Sequence, residues 1–85
     1  MHVDYSRKFL KSVSRLPKKL FALAEEKESL FRDNPFNPSL RTHKLHGKDK
    51  GAWAFWINYH YRIKFIFLSD NRVLFLDIGL HDFYE

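Results

Sequence analysis

Residues 59–68, with the sequence YHYRIKFIFL, form the stretch that decides the fold. Side chains of a β-strand point alternately to the two faces of a sheet, so every second residue from Tyr61 to Phe67 lies on one wholly apolar face. Arg62 and Lys64 begin the other face, which turns apolar further along the strand. The pattern predicts a strand that buries one face in a core and offers two cations to an anionic group near one end of the other face.

An antiparallel sheet is expected around this strand, from Thr42 to Tyr84. Alternating or continuous apolar residues predict further strands, and short polar or glycine-containing segments predict the turns between them. The predicted strands cover residues 42–46, 53–57, 61–68 and 73–78, and the predicted turns cover residues 47–51, 58–60 and 69–71. This half of the chain therefore predicts three or four antiparallel strands.

The N-terminal half predicts a helical hairpin after a short strand at residues 3–5. Ser6 is expected to cap the first helix, and Pro17 both ends that helix and suits the first turn of a second one. Two further prolines, in the segment 34–39, stop the helical half. The prediction is a single α+β domain covering residues 1–85, with an N-terminal helical hairpin packed on a three- to four-stranded antiparallel sheet.

The composition is that of a small, basic and aromatic-rich protein. Nine Phe, four Tyr and two Trp bury large areas, so the 85 residues are enough for one core. A net charge of +5 favours nucleic acid, an anionic membrane or an acidic protein as partner. The absence of cysteine excludes disulfides and agrees with a cytoplasmic location. No transmembrane span or signal peptide is recognised, so a membrane partner is not expected.

The histidines do not form a metal-binding motif. Four of them, His43, His46, His60 and His81, lie in the C-terminal half. His43 and His46 stand three residues apart on an extended segment and point to opposite faces, whereas zinc needs three or more converging ligands. No nucleophile elbow or glycine-rich phosphate loop is present. The prediction is therefore a site without metal or cofactor.

Cleavage of RNA is chemistry that these residue types perform without a metal. The 2′-hydroxyl is already the nucleophile, so the protein needs only a base, an acid and cations around the phosphate. Arg62 and Lys64 are candidates to hold the phosphate. His81 follows the last strand and is expected at the rim of the sheet near Arg62, with Asp82 orienting its ring. Turn and edge positions equally suit ordinary polar histidines, and Arg62 also suits a surface ion pair with Asp77.

The two tryptophans, Trp53 and Trp56, fall on alternate faces of their strand. One of them is expected in the core, and Trp53 is the better candidate. Trp56 is then half-exposed, where stacking on a base and contact with a partner protein are both open.

Several motifs along nearly the whole chain are similar to those of the RelE/ParE superfamily of bacterial type II toxin-antitoxin toxins. They are the helical hairpin, the H-x-L-x-G segment at residues 43–47, the K-G-x-[WY] turn at 50–53, the Y-R-[IVL] motif at 61–63 and the I-G-x-H-D-x-Y ending at 78–84. Each motif is weak alone, and together they are fairly specific. The resemblance implies a fold like that of microbial ribonucleases.

The resemblance also implies roles for individual residues. Arg62 matches the arginine that RelE-like members use to stabilise the phosphate. His81 matches the C-terminal catalytic histidine of the YafQ-like branch, and His43 matches that branch's first histidine. Tyr84 resembles the terminal aromatic residue that the RelE and YoeB branches place beside the substrate. These four residues are the predicted catalytic set.

The chain departs from the YafQ-like pattern at two positions. Where that branch has its second catalytic histidine and its aspartate, this chain has Trp56 and His60, which leaves the general base open. RelE-like members also use lysines before the central strands. The predicted RNA- or phosphate-binding residues there are Lys44, His46, Lys48 and Lys50, in addition to Lys64 on the central strand.

The function that the resemblance implies is that of a toxin that arrests growth. It is a metal-independent, ribosome-dependent mRNA endoribonuclease, or mRNA interferase, whose partners are mRNA on the ribosome and a cognate antitoxin. The antitoxin is expected to be partly disordered until bound and to present an acidic amphipathic segment. The alternatives are a ParE-like toxin that inhibits DNA gyrase and a non-catalytic module that binds only an antitoxin. The C-terminal histidine favours the nuclease, since a gyrase inhibitor needs no proton-transfer group there.

Overall fold

Two helices pack on one face of a five-stranded sheet in the computed structural model, which describes residues 1–81. The strand order is β1-β5-β4-β3-β2. In chain order the elements are β1 (His2–Tyr5), α1 (Arg7–Ser14), α2 (Lys18–Asp33), β2 (His43–Lys44), β3 (Trp53–Trp56), β4 (Tyr61–Ser69) and β5 (Arg72–Leu80), with 3₁₀ turns at Pro38–Leu40 and Gly47–Asp49. The predicted α+β class and helical hairpin are confirmed.

The sheet has more strands than expected and is not wholly antiparallel. Strand β1 pairs in parallel with β5, where Val3 lies opposite Val73. The neighbours from β2 to β5 are antiparallel, as predicted. The sequence indicated a short strand at residues 3–5 but not its partner. Pairing between segments far apart in the chain depends on which edge of the assembled sheet is open, and no local pattern encodes that choice.

The cap of the first helix also attaches the helix to the sheet. The Ser6 hydroxyl accepts a hydrogen bond from the Phe9 backbone N–H at 3.0 Å and donates one to the Leu76 carbonyl oxygen at 2.7 Å. Helix α2 begins directly after Pro17, as the sequence predicted. Neither helix in the described part of the chain is long and apolar enough to cross a membrane.

An aromatic cluster forms the core between the helices and the sheet. The fully buried ring of Phe31, from α2, stacks on Phe55 with their centroids 4.6 Å apart. Its other neighbours, Phe65 and Phe75, meet it edge-on at 4.9 and 5.4 Å. Trp53 packs against the same core, as predicted. The apolar face expected for the central strand is therefore the face that the helices cover.

The opposite side of the sheet, called here the second face, carries the polar residues. Across β3, β4 and β5, the register sets Trp56, Arg62 and Gly79 in one row. The next row contains Lys64 and Asp77. Farther along lies a small apolar cluster, in which Ile66 and Leu76 pack against Leu45, Ala52 and Ala54. The second face is thus polar at the end of the sheet where Arg62 lies and apolar beyond it.

Candidate active site on the second face

Arg62 is buried, with only 6% of its surface exposed. Its Nη1 atom donates hydrogen bonds to the carbonyl oxygens of Asn58, Tyr59 and Tyr61 at 2.8, 2.7 and 3.2 Å. The guanidinium carbon lies 4.0 Å from the centre of the Trp56 ring. These contacts stabilise a cation that burial would otherwise make costly. Its Nε and Nη2 atoms make no hydrogen bond to any residue in 1–81, so these donors are not used by the fold.

The pKa of Arg62 is below the ordinary arginine value. Burial is the main cause, because it removes water from the charged guanidinium. Tyr59 acts in the opposite direction, and the charge of Arg41 adds to the lowering. Two cations close enough to repel each other favour the binding of an anion between or beside them.

The turn between β3 and β4 is stabilised by the side chain of Asn58 as well as by Arg62. The Asn58 Oδ1 atom accepts hydrogen bonds from the backbone N–H groups of His60 and Tyr61 at 2.9 and 2.8 Å. The Ile57 N–H donates to the Tyr61 carbonyl oxygen at 3.0 Å. With the three bonds from Arg62, these contacts fix the backbone of residues 57–61 in one conformation.

His81 lies at the rim of the sheet near Arg62, in the position that the sequence predicted. Its backbone N–H donates to the His60 carbonyl oxygen at 2.8 Å, which joins the end of β5 to the β3–β4 turn. The centre of its imidazole ring lies 5.8 Å from that of the Tyr59 ring. Asp82 and Tyr84 are outside the described residues, so their predicted roles stay predictions.

Arg41 lies at the candidate site, although no pattern in the sequence indicated it. It ends the first 3₁₀ turn with a left-handed backbone, φ 50°, and its guanidinium carbon lies 4.5 Å from the centre of the Trp56 ring. The Nδ1–H group of the half-buried His43 donates a hydrogen bond to the Arg41 carbonyl oxygen at 2.8 Å. The β2–β3 register sets His43 opposite Ala54, on the second face. No spacing in the sequence indicates the contact between Arg41 and Trp56, because Arg41 lies in a loop, where side chains follow no regular period.

The predicted lysines fall into two groups. Lys64 pairs with Asp49 at 3.1 Å, and Lys48 lies with them beside a cleft of about 450 Å³ that extends to Asp77 and Gly79. The remaining residues of the predicted RNA-binding set, Lys44, Lys50 and the histidine His46, line a separate cleft of about 540 Å³ with Trp53. The Lys44 Nζ atom lies 5.4 Å from the centre of the Trp53 ring. Only the first cleft reaches the second face next to Arg62.

The ion pair suggested between Arg62 and Asp77 is not what the structure contains. The register places Asp77 opposite Lys64, and its carboxylate contacts the Lys8 ammonium at 3.5 Å and the Ser12 hydroxyl at 2.7 Å. The side chain of Arg62 instead turns toward the β3–β4 turn. The charge on Arg62 is therefore balanced by carbonyl dipoles and an aromatic ring.

Comparison with known proteins gives matches among solved structures only. No family model and no curated protein matches the sequence. The crystal structure of YafQ from E. coli strain BL21(DE3) has a TM-score of 0.77 at 20% identity, covering 94% of this chain and 92% of that one.

Two further solved structures match over nearly their whole length. A YoeB/ParE toxin from Agrobacterium tumefaciens has a TM-score of 0.77 at 15% identity, covering 95% of this chain and 99% of that one. The archaeal RelE of a RelE-RelB complex from Pyrococcus horikoshii OT3 has a TM-score of 0.72 at 18% identity, covering 93% and 92%. The chain therefore has the RelE-like fold, and its resemblance to the toxins of the RelE/ParE superfamily is confirmed at the level of the fold.

Proposed function

We propose that this protein is the toxin of a type II toxin-antitoxin system and cleaves mRNA on the ribosome without a metal ion. The fold supports a toxin, because the solved structures that this chain resembles include the E. coli DinJ-YafQ toxin-antitoxin complex. The observation that carries the nuclease is that His81 and Arg62 are both bonded to the β3–β4 turn, His81 through its backbone N–H to His60 and Arg62 through Nη1 to Tyr59. A proton-transfer group and a cation beside one open surface are what RNA cleavage requires.

The chemistry follows from the groups present. A base takes the proton of the 2′-hydroxyl, whose oxygen forms a bond to the adjacent phosphorus while the bond from phosphorus to the 5′-oxygen breaks. An acid supplies the proton to the leaving 5′-oxygen, so the products are a 2′,3′-cyclic phosphate and a 5′-hydroxyl end. We assign one of the two proton transfers to His81, and His43 is the candidate for the other. Tyr84 remains a predicted member of the catalytic set.

Cations stabilise the charge that develops on the phosphate in this scheme. The Nε and Nη2 atoms of Arg62 are the groups assigned to the non-bridging oxygens. Lys64 and Lys48 beside the adjacent cleft contribute to the field along the RNA backbone. Lys44, His46 and Lys50 are proposed to contact the RNA or the ribosome from the second cleft.

An acidic antitoxin is the proposed protein partner. The net charge of +5 favours an acidic segment. A groove between α1 and α2 leaves apolar side chains partly exposed, among them Leu10 and Phe21. An amphipathic segment that covers this groove and extends to the second face would block the site.

The test is primer extension on a defined mRNA in a purified bacterial translation system. The wild-type protein is expected to cut at codon positions only when ribosomes are present. The His81→Gln variant should lose at least about a hundredfold in cleavage rate, the usual contribution of a proton-transfer group. His2→Gln is the matched control. Because His2 is exposed on β1, this variant should cleave mRNA as fast as the wild-type protein does.

Gyrase inhibition is the second candidate, because one of the similar structures is described as a YoeB/ParE toxin. If the protein inhibits gyrase, the His81→Gln variant should still arrest growth. If the protein is a nuclease, this variant should no longer arrest growth. If the message stays intact with correctly folded wild-type protein, the nuclease proposal is wrong. Gyrase supercoiling in the presence of the protein is then the next assay, and a negative result there leaves a module that binds only its antitoxin.

A further inference from the structure

Within residues 1–81, Tyr59 is the most exposed of the large hydrophobic residues, with 65% of its surface accessible to solvent. A single exposed ring is common on protein surfaces and needs no explanation by itself. What distinguishes Tyr59 is the rigidity of the backbone that carries it. The turn at residues 57–61 is held by the buried guanidinium of Arg62 and by the Asn58 side chain. The structure thus holds an exposed ring in a fixed place.

The Tyr59 ring contacts His81, a residue of the proposed active site, and two rings beside it. Its centre lies 5.9 Å from the Trp56 ring, with the planes at 79°, and 5.3 Å from the His60 ring, with the planes at 82°. The His81 ring is 5.8 Å away and tilted by 48°. These contacts orient the tyrosine ring, while most of its surface stays accessible to a ligand.

We propose that Tyr59 stacks on a base of single-stranded RNA and thereby places one nucleotide beside His81. This inference rests on the proposed function and names the substrate subsite. Every base has a π-face, and an exposed aromatic side chain binds it without reading its hydrogen-bonding edge. The strand must be single, because the bases of a duplex are already stacked on each other.

The charges around Tyr59 favour a nucleotide over an apolar peptide as the occupant. The guanidinium groups of Arg41 and Arg62 both contact the Trp56 ring, which in turn contacts Tyr59. A stacked base carries a phosphate on each side, and cations next to the stacking ring are what those phosphates require. An apolar peptide would gain nothing from them.

The first arm of the test measures binding of a 5′-fluorescein-labelled hexaribonucleotide by fluorescence anisotropy. All its riboses carry 2′-O-methyl groups, so the nucleophile is absent and His81 remains intact. Tyr59→Ala should weaken binding by about tenfold, the usual effect of losing one base-stacking ring, whereas Tyr59→Phe should stay within about twofold. The matched control is Phe36→Ala, which removes an aromatic ring that is 54% exposed and packs on Trp53 and Phe67.

The second arm replaces the bases of the hexanucleotide with abasic residues, one at a time. One abasic position should weaken binding to the wild-type protein as much as Tyr59→Ala does. The same RNA should bind the Tyr59→Ala variant no more weakly than the intact RNA, because ring and base act as a pair. Melting temperatures of the variants check that a loss is not caused by unfolding.

Three results would each overturn the inference. The first is that Tyr59→Ala binds the hexanucleotide as tightly as the wild-type protein does, and the second is that the wild-type protein does not bind it. The third is that every abasic position weakens binding equally in both proteins. The nuclease proposal fails separately, since a protein that binds RNA through Tyr59 but leaves mRNA intact has the subsite without the activity. If the wild-type protein and the Tyr59→Ala variant cut mRNA at the same rate, the protein has the nuclease activity but not the proposed subsite.

Discussion

The guanidinium carbon of Arg62 lies 4.0 Å from the centre of the Trp56 ring, and the β3–β4 register sets the two residues opposite each other. Arg62 therefore has a structural role and a proposed role in binding RNA. Its face and Nη1 atom hold the strand pair and the β3–β4 turn, while Nε and Nη2 are the atoms that we propose bind the RNA phosphate. Substitution of Arg62 should therefore lower the stability of the protein as well as its activity.

Arg62→Lys is expected to lower the free energy of unfolding by about 2 kcal/mol. The ammonium keeps the charge, but it lacks the planar fork that makes three hydrogen bonds while stacking on an indole. Urea unfolding followed by tryptophan fluorescence measures the change. Arg72→Ala is the control, because the Arg72 side chain makes an exposed ion pair with Asp4, and its loss should cost at most about 0.5 kcal/mol. A lysine variant as stable as the wild type would contradict the structural duty of Arg62.

Arg41→Gly is expected to reduce mRNA cleavage by about tenfold with little effect on stability. The exposed guanidinium is assigned to the RNA phosphates, and one charge-assisted contact accounts for a loss of this size. Glycine suits the left-handed backbone at φ 50°, so the variant does not strain the loop. Cleavage is measured in the translation assay beside Arg15→Gly, in which an exposed arginine after α1 is lost. Equal rates for the two variants would remove Arg41 from the site.

Phe31→Ala is expected to lower the free energy of unfolding by roughly 3–5 kcal/mol, because the cavity in the aromatic core can collapse only in part. Phe31 is fully buried and contacts three other rings. A domain of this kind has roughly 5–15 kcal/mol in total, so the variant should be close to unfolding at growth temperature. Thermal unfolding by circular dichroism is the measurement, with the half-exposed Phe36→Ala for comparison. A loss no greater than that of Phe36→Ala would disagree with the packing described.

Tyr5 is expected to make the stability depend on pH in the alkaline range. Burial raises the pKa of Tyr5 above its ordinary value, and the hydrogen bond that its hydroxyl donates to Glu28 acts in the same direction. Arg32 Nη2 donates to the same hydroxyl at 3.0 Å and partly opposes the rise. The folded state therefore holds the phenolic proton more tightly than the unfolded chain.

The stabilisation by Tyr5 is complete below the unfolded-state pKa of about 10 and is lost as the pH rises through the folded-state pKa. Tyr5→Phe has no proton to lose, so the difference in unfolding free energy between wild type and variant should shrink above about pH 10. Urea unfolding of both proteins across that range measures the difference. A constant difference would show that the hydroxyl has the same pKa in both states.

Much of the fold was predictable because its signals are local. Alternation in β4 identified the buried face, Ser6 and Pro17 marked the helix limits, and the segment 58–60 was recognised as a turn. The parallel pairing of β1 was missed, since strand partners are chosen by the open edge of the sheet. The position of His81 beside the Arg62 end was predictable because antiparallel register follows from the preceding turn.

The sequence by itself determined the elements, the apolar face and the location of two candidate catalytic groups. Each of these depends on the period of side chains along one strand or helix, which is a property of neighbouring residues. Only the tertiary structure decided that Arg62 turns its Nη1 atom to the backbone, that Arg41 reaches Trp56, and that the rigid turn exposes Tyr59. These contacts join a loop, a strand and a turn, and they form only after the sheet has brought those segments together.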